Sequence, residues 1–165
     1  MAKKKIDLEQ ILIGLSSDEA RARAISKLIR KGDLPIPKIS WVIEYYEKAG
    51  RFYDAADIAL KAGMNERAVE DYEKAGRFDD AADIAFKAGM KERAVEDYEK
   101  AGRFYNAADI ALEAGMKERA EQLYQRAVEV YEKAGRFDDA ASVALKAGMN
   151  ERAEQLKTLV DLINE

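Results

Sequence analysis

Hydrophobic positions in this chain follow a helical beat throughout. Leu8, Ile11, Leu12 and Leu15 fall at i, i+3, i+4 and i+7, which predicts a helix over residues 7–15. Ser16-Ser17-Asp18-Glu19 then reads as a capping box, with Ser16 at N-cap and Glu19 at N3. The second helix runs to about Lys31, its apolar side formed by Ala24, Ile25, Leu28 and Ile29, and Gly32 suits its C′ position. Two prolines in Asp33-Leu-Pro-Ile-Pro37 forbid continuation and predict a connector. A third helix over 37–49 carries Ile39, Val42, Ile43 and Tyr46 and ends at Gly50.

From residue 46 the pattern repeats. YEKAGRFYDAADIALKAGMNERAVED at 46–71 returns as YEKAGRFDDAADIAFKAGMKERAVED at 72–97, differing at three of 26 positions: Tyr53/Asp79, Leu60/Phe86 and Asn65/Lys91. Further copies start at Tyr98 and Tyr131. Glycines at 50, 63, 76, 89, 102 and 115 are 13 residues apart, each closing a short helix. Two helices therefore make one hairpin unit, and stacked units bury their apolar faces on one another.

The two helices of a unit differ in breadth of apolar face. On a helical wheel the first is apolar over Phe52, Ala55, Ala56, Ile58, Ala59, Leu60 and Ala62, leaving Tyr53, Asp54, Asp57 and Lys61 outward. The second is apolar over Ala68, Val69, Tyr72 and Ala75. This predicts an inner helix packed between neighbours and an outer helix with one wet side. Phe52, Phe78, Phe104 and Phe137 recur at one position as core wedges. The arginines before them, Arg51, Arg77, Arg103 and Arg136, are expected to pair with nearby carboxylates. The third copy carries a seven-residue insertion, Glu121–Ala127, which adds two turns and rotates the apolar stripe by only about 20°. In the fourth copy the stripe runs out through Leu159, Val160 and Ile163.

The reading is an all-α α-solenoid of antiparallel helix hairpins in a right-handed superhelix. Residues 1–38 form an N-terminal helical cap, and 39–165 form the repeat array with a C-terminal capping helix.

Here the residues carry a likeness. Ala68-x3-Tyr72-x2-Ala75 between glycine turns, and GRFDDAADIA at 76–85, resemble tetratricopeptide repeats, and also the helical repeats of soluble attachment proteins and of clathrin or coatomer arms. The likeness covers about residues 46–156. It implies a scaffold for protein partners. The period of 26 departs from the roughly 34 of tetratricopeptide repeats, and Trp41 lies before the array.

Composition narrows the chemistry. With no cysteine and no histidine, disulfides, thiolate zinc sites, cysteine nucleophiles and the usual near-neutral base are excluded. The carboxylate pairs Asp79-Asp80 and Asp138-Asp139 sit at helix starts, where the dipole favours anions. They lack the apolar pocket that would split two pKa values. No calcium-loop or phosphate-loop spacing occurs. An enzyme is therefore not expected, and neither is any cofactor or metal.

Charge separates the ends. Residues 1–38 hold nine Lys/Arg and five Asp/Glu, leaving 19 and 27 for the rest from totals of 28 and 32. A basic start precedes an acidic array. No apolar run reaches the roughly 18 residues needed to span a bilayer, so a soluble cytoplasmic chain is expected.

The candidate partner surface is the outward ladder of the inner helices: Tyr53, Asp54 and Asp57; Asp79, Asp80 and Asp83; Tyr105, Asn106 and Asp109; Asp138 and Asp139. If these helices line a groove, it suits a basic peptide or helix. The plain alternative is a solubilising face. Self-association through the end faces of the stack is a second reading. A third is RNA binding by Lys3–Lys5 with the stripe Arg23, Lys27, Arg30 and Lys31, although that stripe has no interleaved aromatics. Copies this similar imply recent duplication or deliberate design, and a charged surface poor in Asn, Gln, Ser and Thr also fits a thermophile.

Overall fold

The computed structural model describes residues 14–15 and 17–165, without the side chains of residues 18 and 19. The helix expected over 7–15, apart from its last two residues, and Lys3–Lys5 lie outside that range. Ten helices and no strand occur among the described residues. They fall into two compact units, Met1–Gly76 and Arg77–Glu165.

The first unit contains α1 (Asp18–Arg30), α2 (Ile36–Lys48), α3 (Phe52–Lys61) and α4 (Asn65–Lys74). The N-cap of α1 is Ser17 rather than Ser16; its hydroxyl accepts the Ala20 N–H at 3.2 Å, so N3 is Ala20 and the expected box is one residue out of register. Pro35 is the N-cap of α2, with Pro37 in the first turn, where a missing N–H costs nothing. Helix α3 packs on α1, α2 and α4. Ile25, Leu34, Ile39, Val42, Ile43, Tyr46, Ala55, Ile58, Ala59 and Ala68 form one buried cluster.

The second unit contains α5 (Phe78–Lys87), α6 (Lys91–Lys100), α7 (Phe104–Glu113), α8 (Lys117–Lys133), α9 (Phe137–Lys146) and α10 (Asn150–Asn164). Each packs on the next in chain order, which is solenoid packing. The core is built on alanine: Ala81, Ala82, Ala85, Ala94, Ala107, Ala108, Ala111 and Ala120 are buried with Val95, Ile110, Leu123, Tyr124, Val128 and Leu156. Small side chains let the axes approach closely, and the larger residues fill the gaps. Helix α8 has 17 residues where α6 has 10, so the insertion extends the helix without breaking it. Leu123, Tyr124, Ala127 and Val128 keep the stripe buried.

The turns explain the beat. At the end of α3 the Gly63 N–H donates to Leu60 O at 3.0 Å and the Met64 N–H to Ala59 O at 2.9 Å, a Schellman motif with Gly63 at φ 74°. Met64 then serves as N-cap of α4, its carbonyl accepting the Ala68 N–H at 2.9 Å. Two residues thus end one helix and start the next without any side-chain cap.

Two expectations about side chains need correction. The position of Leu60, placed in the inner core by the wheel, is on the surface in every copy: Leu60, Phe86, Leu112 and Leu145 are 37% to 52% exposed. Those residues sit at C2 of their helices, beside the turn, where the next helix has already departed. Conversely Asp71 and Asp97, on the polar side of the outer-helix wheel, are fully buried. The phenylalanine wedges are half-buried, and Lys74, Lys100 and Arg126 lie over the rings of Phe52, Phe78 and Phe104.

Candidate functional site: the exposed face of the inner helices

Spacing within an inner helix decides what reaches solvent. On α7, Tyr105, Asp109 and Leu112 lie at i, i+4 and i+7 and share one face. The same positions are Asp79, Asp83 and Phe86 on α5, and Asp138, Ser142 and Leu145 on α9. The face is therefore two rows in the second unit. A tyrosine and carboxylate row runs at the amino-terminal end of the helices, and an apolar row of Phe86, Leu112 and Leu145 at the other.

The carboxylates of the ladder carry cation partners. In the first unit Asp54 pairs with Arg51 at 2.8 Å and Asp57 with Lys61. In the second, Asp79 pairs with Arg103 at 3.1 Å, Asp80 with Arg77 at 2.7 Å and Asp139 with Arg136 at 2.7 Å. The arginines before the phenylalanines thus behave as expected. Asp83 accepts the hydroxyl proton of Tyr98, and Asp138 and Asn106 are exposed. These pairs are open to water, so each adds little stability.

Asp109 is the centre of a cluster that joins α7, α8 and α9. Lys146 of α9 donates to its carboxylate at 2.7 Å and to the Tyr105 hydroxyl at 2.9 Å, with the Lys146 ammonium 4.7 Å from the centre of the Tyr105 ring. The Tyr124 hydroxyl of α8 also donates to Asp109. Asp109 and then Tyr105 hold the Lys146 proton, raising its pKa. Burial, followed by the hydrogen bond to Asp109, pushes Tyr124 up to about 12. Burial and Asp83 raise Tyr98 in the same way.

Two shallow clefts flank this cluster, and both are walled by Tyr105 and Tyr131. One, of about 180 Å³, includes Phe104, Asn106, Val130 and Arg136. The other, of about 220 Å³, includes Asp139, Ser142, Val143 and Lys146. Arg136 lies over the Tyr131 ring at 4.5 Å. In the first unit Tyr53 is half-exposed and meets Tyr72 edge-on at 5.7 Å between centroids. A separate cleft of about 350 Å³ there is lined by Arg23, Ser26, Arg30, Asp57 and Lys61, which places two residues of the basic stripe beside Asp57.

Of the ladder residues, Tyr105 and Asp109 are brought together in one cluster, and Asp139 lines the neighbouring cleft. The sequence reading missed Lys146 and the cleft-lining Tyr131 as members of this face, and missed the hydrogen bond from the buried Tyr124 to Asp109. Both tyrosines continue the apolar stripe of α8, where Tyr124 is buried and Tyr131 half-buried, so periodicity gives no sign of their polar contacts. Lys146 carried no signal, since its partner Asp109 lies 37 residues away.

Among the described residues no group of acidic side chains is arranged to hold a metal ion, and no helix is long and apolar enough to cross a membrane. No family model matches the chain, and no curated protein matches it.

Proposed function

We propose that the chain is a non-catalytic scaffold of the tetratricopeptide-like kind, coiling to the right, which captures a protein partner on the exposed face of its inner helices. The observation that supports this reading most is the pair of rows in the second unit. A soluble surface needs no recurring large apolar residue, yet Phe86, Leu112 and Leu145 repeat that feature, on α7 on the same face as Tyr105. Tyrosine offers rigid contact area with one polar handle, and interfaces are enriched in it.

The partner in this reading is a basic peptide or helix in the cytoplasm. Locally the ladder carboxylates are offset by Arg and Lys, but residues 39–165 keep 27 acidic against 19 basic side chains. That excess attracts a basic segment at long range and raises the on-rate more than the final affinity. On contact, a partner cation competes with Lys146 for Asp109, and its apolar side chains meet Leu112 and Leu145.

Site-specific photo-crosslinking in the source cell tests the reading. A benzophenone side chain at Leu112 or Leu145 is expected to trap one protein through a basic segment, whereas the same group at Glu129 on the exposed side of α8 traps none. Adducts from Glu129 alone, or the same mixture of proteins from every position, would overturn it.

A further inference from the structure

The joints between outer helices repeat one chemistry. Arg67 of α4 grips Glu47 of α2 with two hydrogen bonds of 3.1 and 3.0 Å, and Glu44 also acts on Arg67. Arg119 of α8 grips Glu99 of α6 at 2.9 and 2.6 Å, and Arg152 of α10 grips Glu132 of α8 at 2.8 and 2.6 Å. At these three joints the later helix presents an arginine on its leading face and the earlier helix a glutamate on its trailing face.

The leading face of α2 and the trailing face of α10 depart from this pattern, and they do so in a complementary way. Helix α2 is the first outer helix among the described residues. Its residues 26 positions before Arg67 and Asp71 are Trp41 and Tyr45, stacked at 6.2 Å and 40% and 42% exposed. Helix α10 is the last outer helix among the described residues. Its residue 33 positions after Glu129, the counterpart of Glu44, is Leu162, 65% exposed, with Ile163 exposed beside it. The position after Glu132 by the same step is Glu165. Where these joints set arginine against glutamate, the leading face of α2 exposes tryptophan and the trailing face of α10 exposes leucine.

We infer that the trailing face of α10 in one copy docks on the Trp41–Tyr45 face of α2 in a second copy, continuing the repeat joint between molecules with an apolar contact in place of the ion pair. Tryptophan and tyrosine are the side chains that most often anchor such contacts. Glu165 stays acidic, and Tyr45 brings a hydroxyl that donates to it. The contact is heterologous, so it propagates into chains or closes into a ring. This surface is distinct from the inner-helix face and does not depend on the function proposed for it.

The sole tryptophan of the chain sits on the proposed contact and reports on it. Between about 1 µM and about 1 mM, a range that spans moderate to weak affinities, the full chain should gain mass by light scattering while Trp41 emission shifts to the blue. Leu162→Glu should abolish both changes, although it lies in the other unit from the reporter. Trp41→Glu should stay monomeric alone, with an unchanged circular dichroism spectrum. Mixing the two variants should restore the blue shift and yield a heterodimer only, because each brings one intact face. Three outcomes would overturn the inference: emission and mass independent of concentration, Leu162→Glu associating like the parent, or removal of residues 2–13 shifting Trp41 emission at fixed dilution. The last would place the chain's own amino-terminal residues on that face.

Discussion

Helices α4 and α8 open alike, with Glu-Arg-Ala, and use their arginines identically, yet they bury opposite chemistry one turn later. In α4 the buried position is Asp71, fully enclosed, 3.3 Å from Lys74 and next to the Glu47 that Arg67 holds. In α8 the equivalent position is Leu123, equally buried, above a helix extended by two turns. Asp97 of α6 follows the first pattern and Leu156 of α10 the second. The clamp between outer helices is thus independent of what lies beneath it. Burial, then the neighbouring Glu47, raises the Asp71 pKa above the ordinary 3.8, while the bond to Arg67 lowers that of Glu47. A carboxylate disfavoured by its own surroundings costs stability where leucine contributes it.

The harshest way to break the comparison is Leu123→Asp. It puts a carboxyl under the long helix without the companion groups of Asp71 and removes packed volume. The expected loss is about 3–5 kcal/mol, the range for an uncompensated buried charge, read from urea denaturation. A loss under about 1 kcal/mol would mean that α8 accommodates aspartate as α4 does.

The reverse change, Asp71→Leu, sharpens the comparison. We expect a gain on the order of 1–3 kcal/mol at pH 7, as found when buried ionic groups are replaced by well-packed apolar ones. The pH dependence carries the sign. Because the folded-state pKa of Asp71 is raised, the folded chain holds that proton more tightly than the unfolded one. Stability then improves as pH falls through the folded value toward 3.8. Glu47 acts oppositely: its lowered pKa gives stability present above 4.5 and lost as pH falls through the folded value. In Asp71→Leu the gain on acidification should vanish and the acid-side loss should remain, measured by denaturation at pH values from 3 to 8, on the order of the span between the two ordinary carboxyl ranges.

The smallest effects separate the clamp from the buried acid. Glu132→Gln leaves Arg152 without its ion pair over a leucine-type joint and should cost up to about 1 kcal/mol, as an exposed pair does. Glu47→Gln removes the same kind of clamp but also removes the charge that opposes Asp71. It should cost less than Glu132→Gln or nothing measurable. Equal costs in thermal melts would show that Glu47 and Asp71 do not act on each other.

Much of this architecture was legible along the chain. The 13-residue spacing of glycine predicts the helix ends because only a left-handed residue completes the turn seen at Gly63. The insertion at 121–127 reads as two extra turns because seven residues restore the phase of the stripe. What failed was the assignment of individual faces. The wheel places Leu60 inward because it borders the alanine arc, yet the helix ends there and its neighbour turns away. It places Asp71 outward because aspartate is polar, yet the outer helix before it closes over that position.

Periodicity by itself therefore determined the helices, their pairing into hairpins and their all-α stacking, since all three follow from local turn geometry and from apolar residues recurring at helical spacing. Only the tertiary structure decided which charges meet. Arg67 finds Glu47 at 20 residues' remove and Lys146 finds Asp109 at 37, distances at which no local rule operates. Those contacts depend on how far each helix extends past its neighbour, and a few ångströms of stagger decide whether a side chain is buried, paired or left facing solvent.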